Sequence, residues 1–298
     1  TLITPNIYLP ISSSPHLPIS PSPNLPISPS PNSLFPKVLR NGNFKFMYDA
    51  DNHYLLDVEA ELESPLDKME PLSPESEAAK PNPEEMLALL ENSEPQQKML
   101  AARAFCDIED ARATPHLIRL LTDVCPLVRV SAAYAIGRNP SSDAVEPLIK
   151  QYNQDWNGSV RKGVVWALGN CRDMRCLPPL ADALRTDISA VRLWAASSLA
   201  QMSEVGYEAV VGAIPALIEG LVKDSVPAVR SNCAWTIGQL CRELPSNIVY
   251  ATAIDALIQA FAEDIDLGVR EDTKAALLGV GDPRGLQLIE TLEQEGWF

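Results

Sequence analysis

The sequence predicts an all-α fold: an α-solenoid of about six helix pairs with a C-terminal capping helix, preceded by a disordered N-terminal arm. Two observations predict it. One pattern recurs at residues 128–137, 160–169, 191–200, 229–238 and 269–278, each copy opening on Val-Arg and running through small residues to an apolar pair. Residues 97–106 are a degenerate copy that opens on Gln-Lys. The basic residues, Lys98, Arg129, Arg161, Arg192, Arg230 and Arg270, are spaced by 31, 32, 31, 38 and 40 positions. Self-similarity at such a period marks a stack of helical units, because one helix pair cannot bury its apolar face alone. The second observation is a short apolar signature ahead of the copies: Met86-Leu87-x-Leu89-Leu90, Leu117-Ile118-x-Leu120-Leu121, Leu148-Ile149, Leu217-Ile218 and Leu257-Ile258. Each unit therefore reads as two helices.

In chain order, residues 1–46 hold ten prolines and an eight-residue copy, Leu17–Asn24 repeated at Leu25–Asn32. Proline this dense blocks helix and sheet hydrogen bonding, so the segment reads as a low-complexity leader. The chain opens on Thr1 and Met47 precedes an acidic stretch, so residues 1–46 read as upstream sequence translated in error. Residues 47–82 are acidic, broken by Pro65, Pro71, Pro74 and Pro81, and read as a disordered arm. That arm is either a solvated linker or a docking segment anchored by Tyr48, Tyr54, Leu55 and Leu56. The solenoid occupies residues 83–298. Proline is expected near the start of the first helix of each pair, at Pro115, Pro147, Pro178, Pro179 and Pro215, where its missing N–H costs nothing. Longer linkers after Ala200 and Gly238 are expected to absorb the spacings of 38 and 40. A last half-repeat ending in Trp297-Phe298 is expected to cap the stack.

Asp123, Asp155, Asp187, Asp224 and Asp264 stand five or six residues before the repeat arginines. An acid there caps the second helix or pairs with the arginine of a neighbouring repeat. That reading expects each arginine to be partly shielded and its neighbour Lys162 to be exposed.

The net charge is −15, made of +3 over residues 1–46, −12 over 47–96 and −6 over 97–298. A basic face of the size nucleic acid requires is not available, so no nucleic-acid partner is expected. No run approaches the ~18 apolar residues of a membrane span. The six cysteines lie in or beside expected helices and read as buried, reduced thiols, which suits a cytoplasmic protein. Cys171 and Cys176 are close in sequence. They are structural thiols, or Arg172 and Arg175 lower their pKa and make them reactive. Two cysteines do not complete a metal site, and no metal ligand set is expected. Gly-x-Ser-x-Gly, P-loop and His-Glu-x-x-His motifs are absent, and Gly279–Gly285 has the wrong spacing for a dinucleotide loop. The sequence offers no catalytic residues and no cofactor.

The pattern Val-Arg-x-x-Ala-Ala-x-Ala-Leu-Gly, seen as Val128-Arg129-Val-Ser-Ala-Ala-Tyr-Ala-Ile-Gly137, resembles HEAT repeats of the phycobilisome-lyase type. Gly281-Asp-Pro-Arg284 supports the likeness, which spans residues 83–298. Single His-Glu pairs, which HEAT-type hydroxylases use for iron, do not occur: His16, His53 and His116 precede Leu, Tyr and Leu. The resemblance implies a scaffold acting in cofactor-protein maturation in a cyanobacterium, with an iron–sulfur scaffold protein or a phycobiliprotein as partner. It equally admits a phycocyanobilin lyase subunit of the E/F type, or a phycobilisome assembly or degradation adaptor.

Five residues beyond the repeat arginines stand Tyr134, Trp166, Ser197, Trp235 and Ala275; nine beyond stand Arg138, Asn170, Gln201, Gln239 and Gly279. Positions four apart share a helix face. With Trp194 nearby, the stack is expected to align Tyr134, Arg138, Trp166, Asn170, Trp194, Gln201, Trp235 and Gln239 as a partner-binding strip on its concave face. The alternative is that these rings fill gaps between repeats.

Overall fold

Proline and short polar side chains set where the helices begin. The computed structural model describes residues 81–296, and these hold thirteen α-helices. They are α1 (Pro83–Leu89), α2 (Pro95–Ala104), α3 (Thr114–Leu120), α4 (Pro126–Arg138), α5 (Val145–Gln154), α6 (Gly158–Cys171) and α7 (Leu177–Thr186). There follow α8 (Ser189–Leu199), α9 (Tyr207–Lys223), α10 (Pro227–Cys241), α11 (Ile248–Glu263), α12 (Leu267–Val280) and α13 (Pro283–Gln294). The expectations for residues 1–46 and 47–80, and for Trp297 and Phe298, lie outside the described residues.

Proline occupies the first turn of α1, α2, α3, α4, α7, α10 and α13, where no intrahelical partner for its nitrogen is needed. Asn82, Asn157, Asn247, Asp266 and Asp282 accept amide hydrogens of the first turns of α1, α6, α11, α12 and α13. Helix α12 stops at Gly281, whose φ of 76° is the left-handed conformation a glycine adopts at least cost.

Odd-numbered helices are the first members of six pairs and even-numbered ones the second, with α13 closing the end. Second helices pack on second helices (α2, α4, α6, α8, α10, α12 in turn), and each also packs on its own first helix. Their apolar side chains form one continuous core from Met86 to Ile289. The second helices pack on one another more extensively than the first helices do, and we call their layer the inner one. Small residues make this possible. Gly137 and Gly169 leave no room for a side chain: a Cβ would stand 2.4 Å from the Trp166 ring and 2.7 Å from Ser198.

Two expectations about length are corrected. The extra residues in the last full repeats are spent mainly on first helices, not linkers: α9 has 17 residues and α11 has 16, against 10 in α5 and α7. Pro215 consequently lies inside α9 and not near its start. The amide that Pro215 lacks falls on an exposed position of that helix, where water can serve the unpaired carbonyl.

Candidate functional site

An ion-pair ladder sets the register of the second helices. Arg129 grips Asp155 with two hydrogen bonds of 2.7 and 2.8 Å, and Arg161 grips Asp187 at 2.8 and 2.6 Å. Arg192 holds Asp224 at 2.7 and 2.8 Å, and Arg230 holds Asp264 at 2.7 Å twice. Lys98 makes the equivalent pair with Asp123 in the degenerate repeat. The aspartates also cap: Asp123, Asp155, Asp224 and Asp264 each accept the amide two residues on, at the start of the second helix. The two alternatives for these acids are thus both realised by one carboxylate, and in Asp155, Asp224 and Asp264 the Oδ1 that accepts the amide also accepts the arginine Nη2. Each arginine further donates to the carbonyl of the turn before its own helix, Asp155 in the case of Arg161 at 3.1 Å. Burial by itself raises the Asp155 carboxyl, but Arg129, the Asn157 amide and Gln151 outweigh it and hold it below the usual carboxylate range. Asp264 is lowered in the same way, with Arg230 and the Asp266 amide prevailing over burial. Arg270, in the last full repeat, donates to the Phe261 carbonyl.

With the register fixed, the eight strip residues take defined places. Tyr134 stacks at a tilt on Trp166, ring centroids 5.3 Å apart, so α4 and α6 are bridged by aromatic contact. Trp166 also covers Gly137, whose missing side chain makes its seat. Trp194 lies under the Lys162 ammonium, 5.5 Å from the ring centre, joining α6 to α8. Ser197 and Asn232 join α8 to α10 through a 2.7 Å hydrogen bond, and Asn232 also donates to the Leu193 carbonyl. Arg138 is exposed and donates to the Cys106 carbonyl, while the Asn170 amide turns back to the Trp166 carbonyl. Trp235, Gln239 and Gln201 are half-buried, as are Tyr134, Trp166, Asn170 and Trp194. Tyr134, Trp166 and Trp194 therefore contact neighbouring repeats, and part of each ring remains open, as it does at Trp235.

One expectation about a single residue fails, and one pair of alternatives is decided. Lys162 is buried, at 2% exposure, because its stem runs along the closely packed inner layer to the Trp194 ring. The cysteines are not activated by arginine. Burial pushes Cys171 up to about 11 and Cys176 up to about 12, while Arg172 is paired with Glu204 and Arg175 with Asp173 and Glu146. Thiols so far above neutral pH stay protonated and unreactive.

A second set of contacts escaped the sequence reading. Asp110-Ala-Arg112, Asp173-Met-Arg175 and Asp282-Pro-Arg284 are the same local turn, each aspartate accepting the arginine amide two residues on. Each arginine then reaches an acid of the preceding first helix: Glu84, Glu146 and Asp255. The Asp-x-Arg spacing was visible, but its partners lie about 28 residues back and only the stack brings them near. These pairs are exposed and add little stability.

The cleft between α7 and α9, lined by Leu184, Arg185, Ala216, Glu219, Gly220, Lys223 and Asp224, holds about 130 Å³. Small-molecule sites run to at least ~300 Å³. Among the described residues no three His, Cys, Asp or Glu side chains are grouped to hold a metal ion, and no helix is long and apolar enough to cross a membrane.

Paired helices stacked by a buried core and an inter-repeat ion-pair ladder define an α-solenoid. The repeats are HEAT repeats: family models described as HEAT repeats match residues 83–163 and 145–213, and a HEAT repeat model matches 213–244. Among solved structures, the complex of CpcE and CpcF of phycocyanin lyase from Nostoc sp. PCC7120 is 21% identical with a TM-score of 0.51. That match covers 74% of this chain and 85% of the other. A designed armadillo repeat protein in complex with the peptide (KR)4 is 20% identical with a TM-score of 0.53, covering 66% and 98% of the two chains. These likenesses are of fold. No curated protein sequence matches the chain.

Proposed function

We propose that this protein is a non-catalytic scaffold that binds a protein partner along its concave face, with Tyr134, Arg138, Trp166, Asn170, Trp194, Gln201, Trp235 and Gln239 as the contact strip. The observation that carries the reading is the continuity of that strip. Partly open aromatic rings run from α4 through α6 and α8 to α10, with amide and guanidinium groups beside them. Large rigid rings bury much area at small entropic cost, and aromatic-rich patches with polar rims mark interface cores. Trp166 and Trp235 occupy the same position two repeats apart, roughly 20 Å at ~10 Å per helix layer, so an elongated partner segment spans both.

The resemblance of the repeat pattern to HEAT repeats of the phycobilisome-lyase type supports a role for this scaffold in the maturation of cofactor-bearing proteins in the cytoplasm, with an iron–sulfur scaffold protein or a phycobiliprotein as its partner. The fold likeness to the CpcE and CpcF complex favours a second reading: a subunit of a bilin lyase. Binding of the purified chain to iron–sulfur scaffold proteins and to phycobiliprotein subunits decides between them. Bilin attachment in the presence of the chain would establish the lyase reading. Under either reading Trp235→Ala should weaken the complex by about 2 kcal/mol, roughly 30-fold, with an unchanged melting temperature. Undiminished binding to the partner after Trp166→Ala and Trp235→Ala would place the interface elsewhere.

A further inference from the structure

A row of apolar side chains stands in water along one edge of the stack. The residues that follow the ladder aspartates are Val124, Trp156, Ile188, Ser225 and Ile265, each at the turn where a first helix gives way to its second. The ladder sets these turns side by side. Arg129 donates to the Asp123 and Val124 carbonyls of its own turn and to the Asp155 carboxylate of the next. Arg161, Arg192 and Arg230 tie each later turn to its successor in the same way. Ile188 also reaches back one turn, where its Cδ1 lies 2.5 Å from the position a side chain at Gly158 would take. Val124 is 96% exposed, Trp156 78%, Ile188 44% and Ile265 95%. An apolar residue just ahead of a helix cap often staples that helix by packing on its first turn. Val124, Trp156 and Ile265 are too exposed to do so. Leu127 and Leu267 extend the two ends of the row, and exposed Val222 and Pro227 flank Ser225. Apolar surface gathered in this way, unlike single scattered side chains, marks an interaction site.

We infer that two copies of this chain meet along this edge, antiparallel, about a two-fold axis at Ile188. The row matches its own reverse. Turned about Ile188, it sets Val124 on Ile265 and Trp156, its largest member, on Ser225, its smallest, so the ring enters the notch between Val222 and Pro227. A two-fold contact requires such a match of one surface with itself. Charge does not oppose the meeting, although the chain carries −15. On the turn-side halves of α5, α7 and α9, Lys150, Arg185 and Lys223 stand against Asp182 and Glu219. The antiparallel arrangement lays first helices over first helices. Lys150 of one copy then falls opposite Glu219 of the other, since both stand five residues before a ladder aspartate. The size is also right. Four layers at ~10 Å and a width of two helices at ~10 Å make an edge of about 800 Å², which is what a stable interface buries on each partner. The edge lies at the start of the second helices and the aromatic strip further along them, so neither proposal depends on the other.

Sedimentation equilibrium of the full chain should show a dimer that dissociates in the micromolar range or below. Trp156→Lys should weaken that dimer at least ~10-fold without lowering the melting temperature, since the side chain is exposed. A swap reads the register. Ser225→Trp alone sets Trp on Trp and should weaken the dimer by a similar factor. Ser225→Trp combined with Trp156→Ser sets each Trp on a Ser again and should recover most of the affinity. A chain that stays monomeric at up to about 100 μM overturns the inference. So does a dimer that Trp156→Lys leaves intact, because its interface then lies elsewhere. A swap that recovers nothing overturns the two-fold at Ile188. A monomer that binds phosphatidylcholine vesicles, and loses them on Trp156→Lys, would give the edge to a lipid surface in place of a second copy. Trp235→Ala should leave the dimer unchanged, so failure of the edge and failure of the strip are read apart.

Discussion

Arg161 shows what a single ladder residue does. Its guanidinium holds Asp187, a carboxylate only 5% exposed, and removal leaves that charge half-desolvated without a partner. Arg161→Ala should therefore cost about 1–3 kcal/mol, read from urea denaturation. The adjacent Lys162, expected from sequence to be a neutral surface position, should now also matter. Lys162→Ala should cost about 1–2 kcal/mol through lost stem packing and lost contact with Trp194. Lys162→Met, which keeps the stem, should recover part of that loss; a neutral effect of Lys162→Ala would show that its burial carries no energy. The ladder also sets the acid response. Asp155 and Asp264 titrate lower folded than unfolded, so the unfolded chain binds more protons as pH falls through the unfolded value of about 3.9. The stability they contribute is fully present above that value and is lost as pH falls through their depressed folded values. Asp155→Asn should thus lose less stability than the parent chain between pH ~5 and ~3, measured by urea melts at each pH. An unchanged slope would remove Asp155 from the account.

At the scale of the helix, two glycines of the inner layer separate packing from propensity. A methyl group at Gly137 would meet the Trp166 ring at 2.4 Å and the α6 backbone at Ala167 at 3.0 Å. The ring has to leave its seat or the helices have to part. Gly137→Ala should cost about 1–3 kcal/mol and alter the tryptophan fluorescence. Gly163, on the facing helix, would meet nothing closer than 3.6 Å, an ordinary contact with the Tyr134 ring. Gly163→Ala should be neutral or stabilising by up to about 1 kcal/mol, because a helix interior favours alanine over glycine. Equal effects of the two changes would mean that the close approach of α4 and α6 is not what seats Trp166.

Across the whole stack, stability is a chain of nearest-neighbour interfaces, and its ends need covering. Helix α13 does this at the last repeat: Ile289 is buried, and Gly285 admits the Leu277 side chain, with a Cβ position only 2.8 Å from it. Buried Asp282 caps α13 and pairs with Arg284, whose guanidinium also reaches Asp255. A chain lacking residues 282–298 should melt at lower temperature and associate with rising concentration, seen by calorimetry and sedimentation, because Leu277 and the open faces of α11 and α12 lose their cover. An unchanged melt would show that the last pair is self-sufficient.

What the amino-acid sequence determined by itself is what is local or periodic. The Val-Arg pattern, with small residues behind it, specifies a helix face that packs on a copy of itself, so the all-α class and the stacking follow from spacing alone. The Asp–Arg register followed as well, because residues 26 to 34 apart, once per repeat, meet wherever repeats are stacked. The meeting of Tyr134 and Trp166, at one position of successive repeats, was legible for the same reason. Tertiary structure decided how far neighbours approach, and with it everything that depends on a few ångströms. Lys162 reads as a surface lysine until the α8 helix brings Trp194 over it; α9 and α11 read as short helices after long linkers until their extra turns pack. Arg112, Arg175 and Arg284 find their acids, and Cys171 and Cys176 lose their reactivity, only through burial and contacts made by other repeats. A repeat motif encodes that its copies stack; the side chains of the neighbouring copy decide what each residue then meets.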